Sequence, residues 1–332
     1  MASPPTNAMF LFPAVPITDG LWDLATVSLI AGILILSILS LTFIFHLHLR
    51  SQILPHLGHF NSLWKVRLVL VLFAAFWALN ELLRLPVFRQ SYLYPNFPSL
   101  TVAAQTTVCK LHVVLSLGFY EPGFLVTLLF LVNVSIKKTE RSRMWAIPSV
   151  CAVCFPMLLL QAFVVFFSPL QAMLPGFMHG SSVLSSDLLG RSAVLCTYPA
   201  LSCIIFTVFA VAYALAFLVS CWQVVMFVIN KTIGGRVYFL AVSVMVTLPI
   251  QIFCLGLTSI WLPVDPVYYC AVSTMFLSVL WCITVSEIIL VIKPIADALD
   301  ACGALLISTT HHGNNSNEEP TPLFHQQGSQ DQ

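Results

Sequence analysis

The sequence predicts an all-α fold, a polytopic membrane protein built as a seven-transmembrane helix bundle, N-terminus outside and C-terminus cytosolic. Three observations predict it. Of the 332 residues, 59% are apolar and only 8% charged, against roughly 25% charged in a soluble domain, so the chain has too little polar surface to cover itself in water. Seven apolar runs reach the roughly 20 residues that a bilayer span needs. The 14 Lys and Arg residues divide unequally between the two sides, which sets the orientation.

Residues 1–23 read as a short outer or lumenal tail, holding Asp19 and Asp23 but no basic residue. The bundle occupies 24–292, with spans near Leu24–Leu49, Val66–Pro86, Val108–Val134, Trp145–Ser168, Tyr198–Asn230, Val237–Leu262 and Tyr268–Ile292. The first Lys or Arg is Arg50, so the first run reads as an uncleaved insertion signal. The fifth run exceeds a perpendicular crossing and is expected to tilt or protrude. Arg50, Lys65, Arg67, Lys137, Lys138, Arg141, Arg143, Lys231, Arg236 and Lys293 fall on one side. Arg84, Arg89, Lys110 and Arg191 fall on the other. The richer side is cytosolic under the positive-inside rule. The longest link, "LPGFMHGSSVLSS" and its flanks before the fifth span, reads as an outer loop or lid. In 293–308, "KPIADALDACGALLIS", Ile295, Leu299, Cys302 and Leu306 recur at three- and four-residue steps, the pattern of an amphipathic helix on the membrane surface. Cys302 is a lipidation candidate there, or simply a small apolar thiol. Residues 309–332 are polar and read as a disordered cytosolic tail.

Cys109, at the outer end of the third span, and Cys196, just before the fifth, both face the oxidising side, where a disulfide is permitted. The alternatives are two unpaired thiols, or competition from Cys270. Cys151 and Cys154 form a C-x-x-C within the fourth span and read as packing residues.

Embedded polar groups carry the stronger signal, because a charge near the bilayer centre costs at least ~2.5–3.5 kcal/mol and therefore faces the bundle interior. Asn80, Glu81 and Arg84 lie in the outer third of the second span, and the i, i+3 spacing lets Glu81 meet Arg84. Lys110 and His112 open the third span at similar depth, and Gln161 and Gln251 map to the outer halves of the fourth and sixth. Together they make a candidate ligand-binding vestibule, slightly positive and suited to an anionic or carbonyl-bearing ligand. The plainer alternative has Arg84 and Lys110 snorkelling to headgroups while Glu81 neutralises Arg84.

"LGFYEPGF" places Glu121 about ten residues into the third span, roughly mid-bilayer at ~1.5 Å per residue. A carboxyl at that depth is expected to hold its proton. Pro122 removes a backbone donor and frees the Gly118 carbonyl, while Gly118 and Gly123 permit close helix approach. Tyr120, Glu121 and Pro122 thus read as a hinge with a proton latch, or as a proline kink whose spare polar groups are satisfied by neighbours. Glu287, near the inner end of the seventh span, is expected to snorkel inward.

The sequence holds no convincing enzyme. Only His112 is embedded among the histidines, which argues against an intramembrane metal hydrolase. "HGSS" at His179–Ser182 lacks a positioned base, and no glycine loop is built for phosphate. No metal, cofactor or nucleic acid is called for. The sequons at Asn133, Asn230 and Asn314 fall on the cytosolic side, so no N-glycan is expected.

Seven helices, an outer N-terminus, the Cys109/Cys196 pairing and the segment after the last helix resemble a G-protein-coupled receptor in architecture. The motifs of the rhodopsin-like class are missing: the third span exits through Leu131-Val132-Asn133-Val134 rather than Asp-Arg-Tyr, and "SEIILVIKP" replaces Asn-Pro-x-x-Tyr. The segments "FWALNELLRLPVFR" and "KLHVVLSLGFYEPGFL" are similar to a plant family of seven-helix membrane proteins of uncharacterised function, some considered receptor-like. That resemblance implies a plant source and no defined activity. The expectation is a receptor-like signalling protein binding a small ligand in its outer vestibule, in the plasma membrane or an endomembrane. Its partners beyond the lipid bilayer would be a cytosolic protein or anionic lipid at basic loops such as "KKTERSR", Lys137–Arg143. A proton-coupled transporter using Glu121 and a non-catalytic endomembrane scaffold are the alternatives.

Overall fold

A computed structural model describes residues 18–53, 63–85, 88, 101–134, 146–167, 178, 180–186, 192–227, 231–263 and 265–300. Seven helices within them are long and apolar enough to cross a membrane: Trp22–Gln52, Trp64–Arg84, Val102–Asn133, Ile147–Phe166, Ala200–Val224, Gly234–Ile260 and Pro266–Asp300. They are called the first to seventh spans below. Their starts have local causes where the chain is described there. Thr101 caps the third span, its hydroxyl accepting from the Ala104 N–H at 3.3 Å. Pro266, fixed at a helical φ and lacking an N–H that a first turn does not use, opens the seventh after Asp265.

Neighbours in sequence pack against one another, and the first span also meets the seventh. The third is the most enclosed, touching the second, fourth and fifth. One apolar core joins all seven, running through Ile44, Leu70, Leu117, Leu128, Val165, Phe206, Phe217, Leu240, Leu255 and Met275. Large apolar side chains such as Ile35, Val208, Trp222, Phe253 and Ile260 point outward, which is the surface that hydrocarbon would cover. The polar groups lie inside.

Three features differ from the sequence-based expectation. The link before the fifth span is not only loop: β1 (Ser182–Ser186) and β2 (Ser192–Cys196) form an antiparallel hairpin, with Ser182 opposite Cys196 and Ser186 opposite Ser192. Second, the third span is not simply kinked at Pro122. It widens into a π-turn over Ser116–Tyr120, closed by the Glu121 N–H bonding to the Ser116 carbonyl five residues back. Pro122 therefore falls in the first turn of the restarted α-helix, Glu121–Val134, where a missing donor matters least. Third, the seventh span carries its own π-turn, Ile288–Ile292, and then runs on in helix to Asp300. Cys302, Leu306 and the tail lie outside the described residues.

The glycines of "LGFYEPGF" permit close approach on two sides. A Cβ on Gly118 would come within 3.0 Å of the Gln161 Cβ and 3.3 Å of the Leu158 Cα, and one on Gly123 would strike the Phe73 ring. The third span is thus pressed against the fourth at Gly118 and the second at Gly123. Gly118→Val is expected to destabilise the detergent-solubilised protein by about 1–3 kcal/mol, the usual cost of overpacking. Gly256→Ala, whose Cβ meets nothing within 4 Å, should leave the thermal midpoint unchanged. Equal midpoints for the two variants would remove close approach as the reason for Gly118.

Candidate functional site

Helix periodicity places Trp77, Asn80, Glu81 and Arg84 on one buried stripe of the second span, at steps of three and four residues. At the end of the bundle nearest the hairpin, Arg84 Nε faces Glu81 Oε2 at 3.1 Å, with side chains 12% and 2% exposed. The contact is an ion pair without hydrogen-bond alignment. Tyr198, Tyr268 and Asp23 also lie close enough to act on the guanidinium.

Asn80 and His112 tie the second span to the third reciprocally. Asn80 Nδ2 donates to the His112 carbonyl at 3.2 Å, and His112 Nδ1 lies 3.0 Å from the Asn80 carbonyl. A carbonyl only accepts, so Nδ1 carries a proton, and Nε2 faces the Tyr198 hydroxyl at 3.4 Å. Over this cluster lies the hairpin. Cys196, ending β2, is disulfide-bonded to Cys109 of the third span, and its carbonyl accepts from the Tyr268 hydroxyl of the seventh at 2.9 Å. The Thr197 N–H donates to the Ser181 carbonyl at 3.0 Å. Asn80 Oδ1, and Ser181 Oγ at the foot of the hairpin, are buried without a hydrogen-bond partner among the described residues.

One turn from Glu81 along the same stripe, Trp77 reaches the second centre. Glu121, at the end of the π-turn, accepts from three spans at once. Ser116 Oγ donates to Oε1 at 3.0 Å and Trp77 Nε1 to the same oxygen at 3.4 Å. Gln251 Nε2 donates to Oε2. The extra residue of the π-turn turns Ser116 back towards the carboxyl five positions on. Beside Glu121 is a cavity of about 20 Å³, lined among others by Trp77, Tyr120, Thr247, Gln251 and Cys282, enough for one water.

The sequence-derived vestibule residues therefore do not form one group. Asn80, Glu81, Arg84 and His112 come together under the hairpin, and Gln251 joins Glu121. Gln161 donates instead to the Ser202 carbonyl at 3.0 Å, linking the fourth span to the fifth. Lys110 is half-buried, with Nζ 5.8 Å from the Phe166 ring centroid. Of the hinge residues, Glu121 makes the hydrogen bonds, while Tyr120 contributes ring contacts to Phe76 and Phe119. Glu287 does not snorkel. It is fully buried, accepting from Ser37 Oγ and Ser40 Oγ of the first span at 2.9 Å each. Sequence reasoning misses Trp77, Ser116, Tyr198, Tyr268, Ser37 and Ser40. Trp77 sits four residues before Glu81, and Ser37 and Ser40 repeat at i, i+3, signals that helical spacing makes readable. Lys137–Arg143 lies outside the described residues.

Arg84→Met alone strands the Glu81 charge in the bundle, and breaking such a pair costs about 3–5 kcal/mol. Unfolding in mixed micelles is expected to register that loss, and Glu81→Leu combined with Arg84→Met is expected to recover most of it. A double variant as unstable as the single one would deny that the pair acts as a unit.

No curated protein matches the chain. One family model matches residues 14–305, which takes in all seven spans, both carboxyl centres and the hairpin. The chain belongs to that family, described as Uncharacterised conserved protein UCP031277.

Proposed function

We propose that the protein is a receptor-like seven-helix membrane protein that takes a small ligand at the hairpin-covered end of the bundle. In this reading that end and the N-terminus face outward and the C-terminus is cytosolic. The distribution of basic residues supports the orientation, and so does a disulfide at the hairpin, since such bonds persist on the oxidising side.

The observation that carries the reading is the cover itself. A hairpin fastened to the third span by Cys109–Cys196 and to the seventh by Tyr268 lies at a charge pair, and Asn80 Oδ1 and Ser181 Oγ are buried there without a hydrogen-bond partner among the described residues. The Asn80 amide oxygen only accepts, so it favours an incoming hydrogen-bond donor, while the Ser181 hydroxyl suits either partner. Glu81 and Arg84 offset one another, so the ligand is small and polar rather than strongly anionic. Below the cluster, Trp77 links the covered end to Glu121, whose partners lie on the second, third and sixth spans. A ligand that displaces the Glu81–Arg84 stripe would act on that junction. At the opposite end Glu287 is bound across the first and seventh spans by two serines, which suits a signal passed through a closed bundle better than a solute passed along it.

The reading is tested on the full chain in nanodiscs. A panel of small hydroxylated and amine-bearing metabolites is expected to contain a binder that raises the thermal midpoint with concentration, as linkage requires. Asn80→Leu should abolish that rise. An N-terminal epitope should be reached by antibody on intact cells, and a C-terminal one only after permeabilisation. A binder unaffected by Asn80→Leu, or the opposite tag pattern, would sink the assignment.

A further inference from the structure

Arg67 stands at the end of the bundle opposite the hairpin, three residues after Trp64, which opens the second span. Its side chain is largely enclosed, and Nε is buried without a hydrogen-bond partner among the described residues. Nor does an ion pair reach it among them. At this end Asp297 is taken by Arg236, and Glu287 by Ser37 and Ser40. An arginine keeps its charge in proteins, and buried charges are as a rule paired. One that only snorkelled would carry its guanidinium into water, whereas here Nε is covered by protein. The place calls for an anion.

The surroundings suit one. The second span starts here, and the N–H groups of a first helical turn have no acceptor within the helix. Leu63, at the N-cap, has no side-chain acceptor, and the first turn holds no acid. Lys65 instead adds a second positive charge, this one exposed. Helix side chains lean towards the N-terminus, which carries Arg67 over that same turn. Helix dipole, first-turn N–H groups and two cations therefore favour negative charge at one place. Trp64 braces the turn: His48 of the first span stacks on its ring with centroids 4.4 Å apart, and Lys65 Nζ lies 5.8 Å from the ring centroid. Tryptophan is enriched at the depth of lipid headgroups. Apolar surface runs up to that depth on both spans, through exposed Phe45 and Leu49 on the first and Leu72 and Phe76 on the second. Acyl chains lying on it would bring a headgroup to Arg67.

We propose that the start of the second span, with Arg67 and Lys65, is a binding site for the phosphate of an anionic phospholipid in the leaflet at that end. Arg67 gives the phosphate charge-assisted hydrogen bonds, and its planar fork takes two oxygens at once. Lys65 adds attraction from the exposed side, which salt screens. A choline headgroup brings its own cation beside Lys65 and is disfavoured, so the site selects by headgroup charge. A lipid is favoured over a soluble anion because Arg67 belongs to the apolar span itself, at the depth a lipid phosphate already occupies. The site lies at the other end of the bundle from ligand binding under the hairpin and does not depend on it.

The test uses the full chain in mixed micelles, titrated with phosphatidic acid or with phosphatidylcholine of the same acyl chains. Lipid adducts are read by native mass spectrometry, together with the thermal midpoint. Phosphatidic acid is expected to add one saturable adduct and to raise the midpoint, as linkage requires, while phosphatidylcholine does neither. Arg67→Met should weaken the adduct at least about tenfold, the size of a hydrogen bond to a charged group. Without anionic lipid that variant should melt at or above the unsubstituted protein, because it removes an unanswered buried charge. With phosphatidic acid the order should reverse, a crossing that a merely structural arginine does not give. Where Arg67→Met fails to fold, Arg67→Lys keeps the charge, loses the fork and should bind phosphatidic acid more weakly. Lys65→Gln should weaken binding less, and only at low salt. Equal binding of the two lipids, or an adduct that ignores both Arg67 variants, would overturn the proposal. So would a full midpoint rise from inorganic phosphate or poly-glutamate without lipid, which would make the partner a soluble anion or an acidic protein.

Discussion

The carboxyl of Glu121 binds three helices at one point, and much of the molecule is arranged around that need. A buried carboxyl keeps polar atoms that must find partners inside the protein, and hydrogen bonds inside membrane proteins average about 0.6 kcal/mol and reach about 1.7. Three such bonds, from Ser116, Trp77 and Gln251, supply those partners. None can be supplied by an ordinary α-turn alone. The π-turn brings Ser116 to the carboxyl, Gly123 lets the second span approach, and Gln251 draws in the sixth.

The same logic recurs at both ends. Under the hairpin, Glu81 is answered by Arg84 and the second and third spans are joined through Asn80 and His112. At the far end Glu287 is answered by two serines of the first span. Helices in lipid have no hydrophobic drive to associate, so these three polar junctions, with the close contacts at Gly118 and Gly123, specify which helix meets which. The disulfide and Tyr268 add a fastening that lies outside that scheme and holds the hairpin over the first junction.

Much of this architecture is legible in the amino-acid sequence. Span number and approximate limits follow from apolar length, and the seven helices fall where the seven runs lie. The Glu81–Arg84 pair follows from i, i+3 spacing, and the role of Gly118 and Gly123 from the absence of a side chain. What the sequence leaves open is rotation and backbone register. A polar residue at a known depth still has a full circle of facings, so depth alone groups Gln161 and Lys110 with Arg84, although Gln161 bonds to the fifth span and Lys110 lies by a ring of the fourth. Pro122 suggests a kink, but a one-residue widening upstream is invisible to periodicity. The Ser-rich hairpin carries too little alternation to stand out from a loop. The depth of Glu287 allows snorkelling, and nothing in the spacing of its own span shows that Ser37 and Ser40, some 250 residues earlier, hold it inside.

Glu121 and Gln251 hold the third and sixth spans together through a hydrogen bond, rather than merely lying near each other. A double-mutant cycle on unfolding in mixed micelles, using Glu121→Leu, Gln251→Leu and the pair, measures that bond directly. The expected result is a coupling of at least about 1 kcal/mol, within the range for bonds to a carboxyl group. Single losses that simply add, to within about 0.3 kcal/mol, would contradict it.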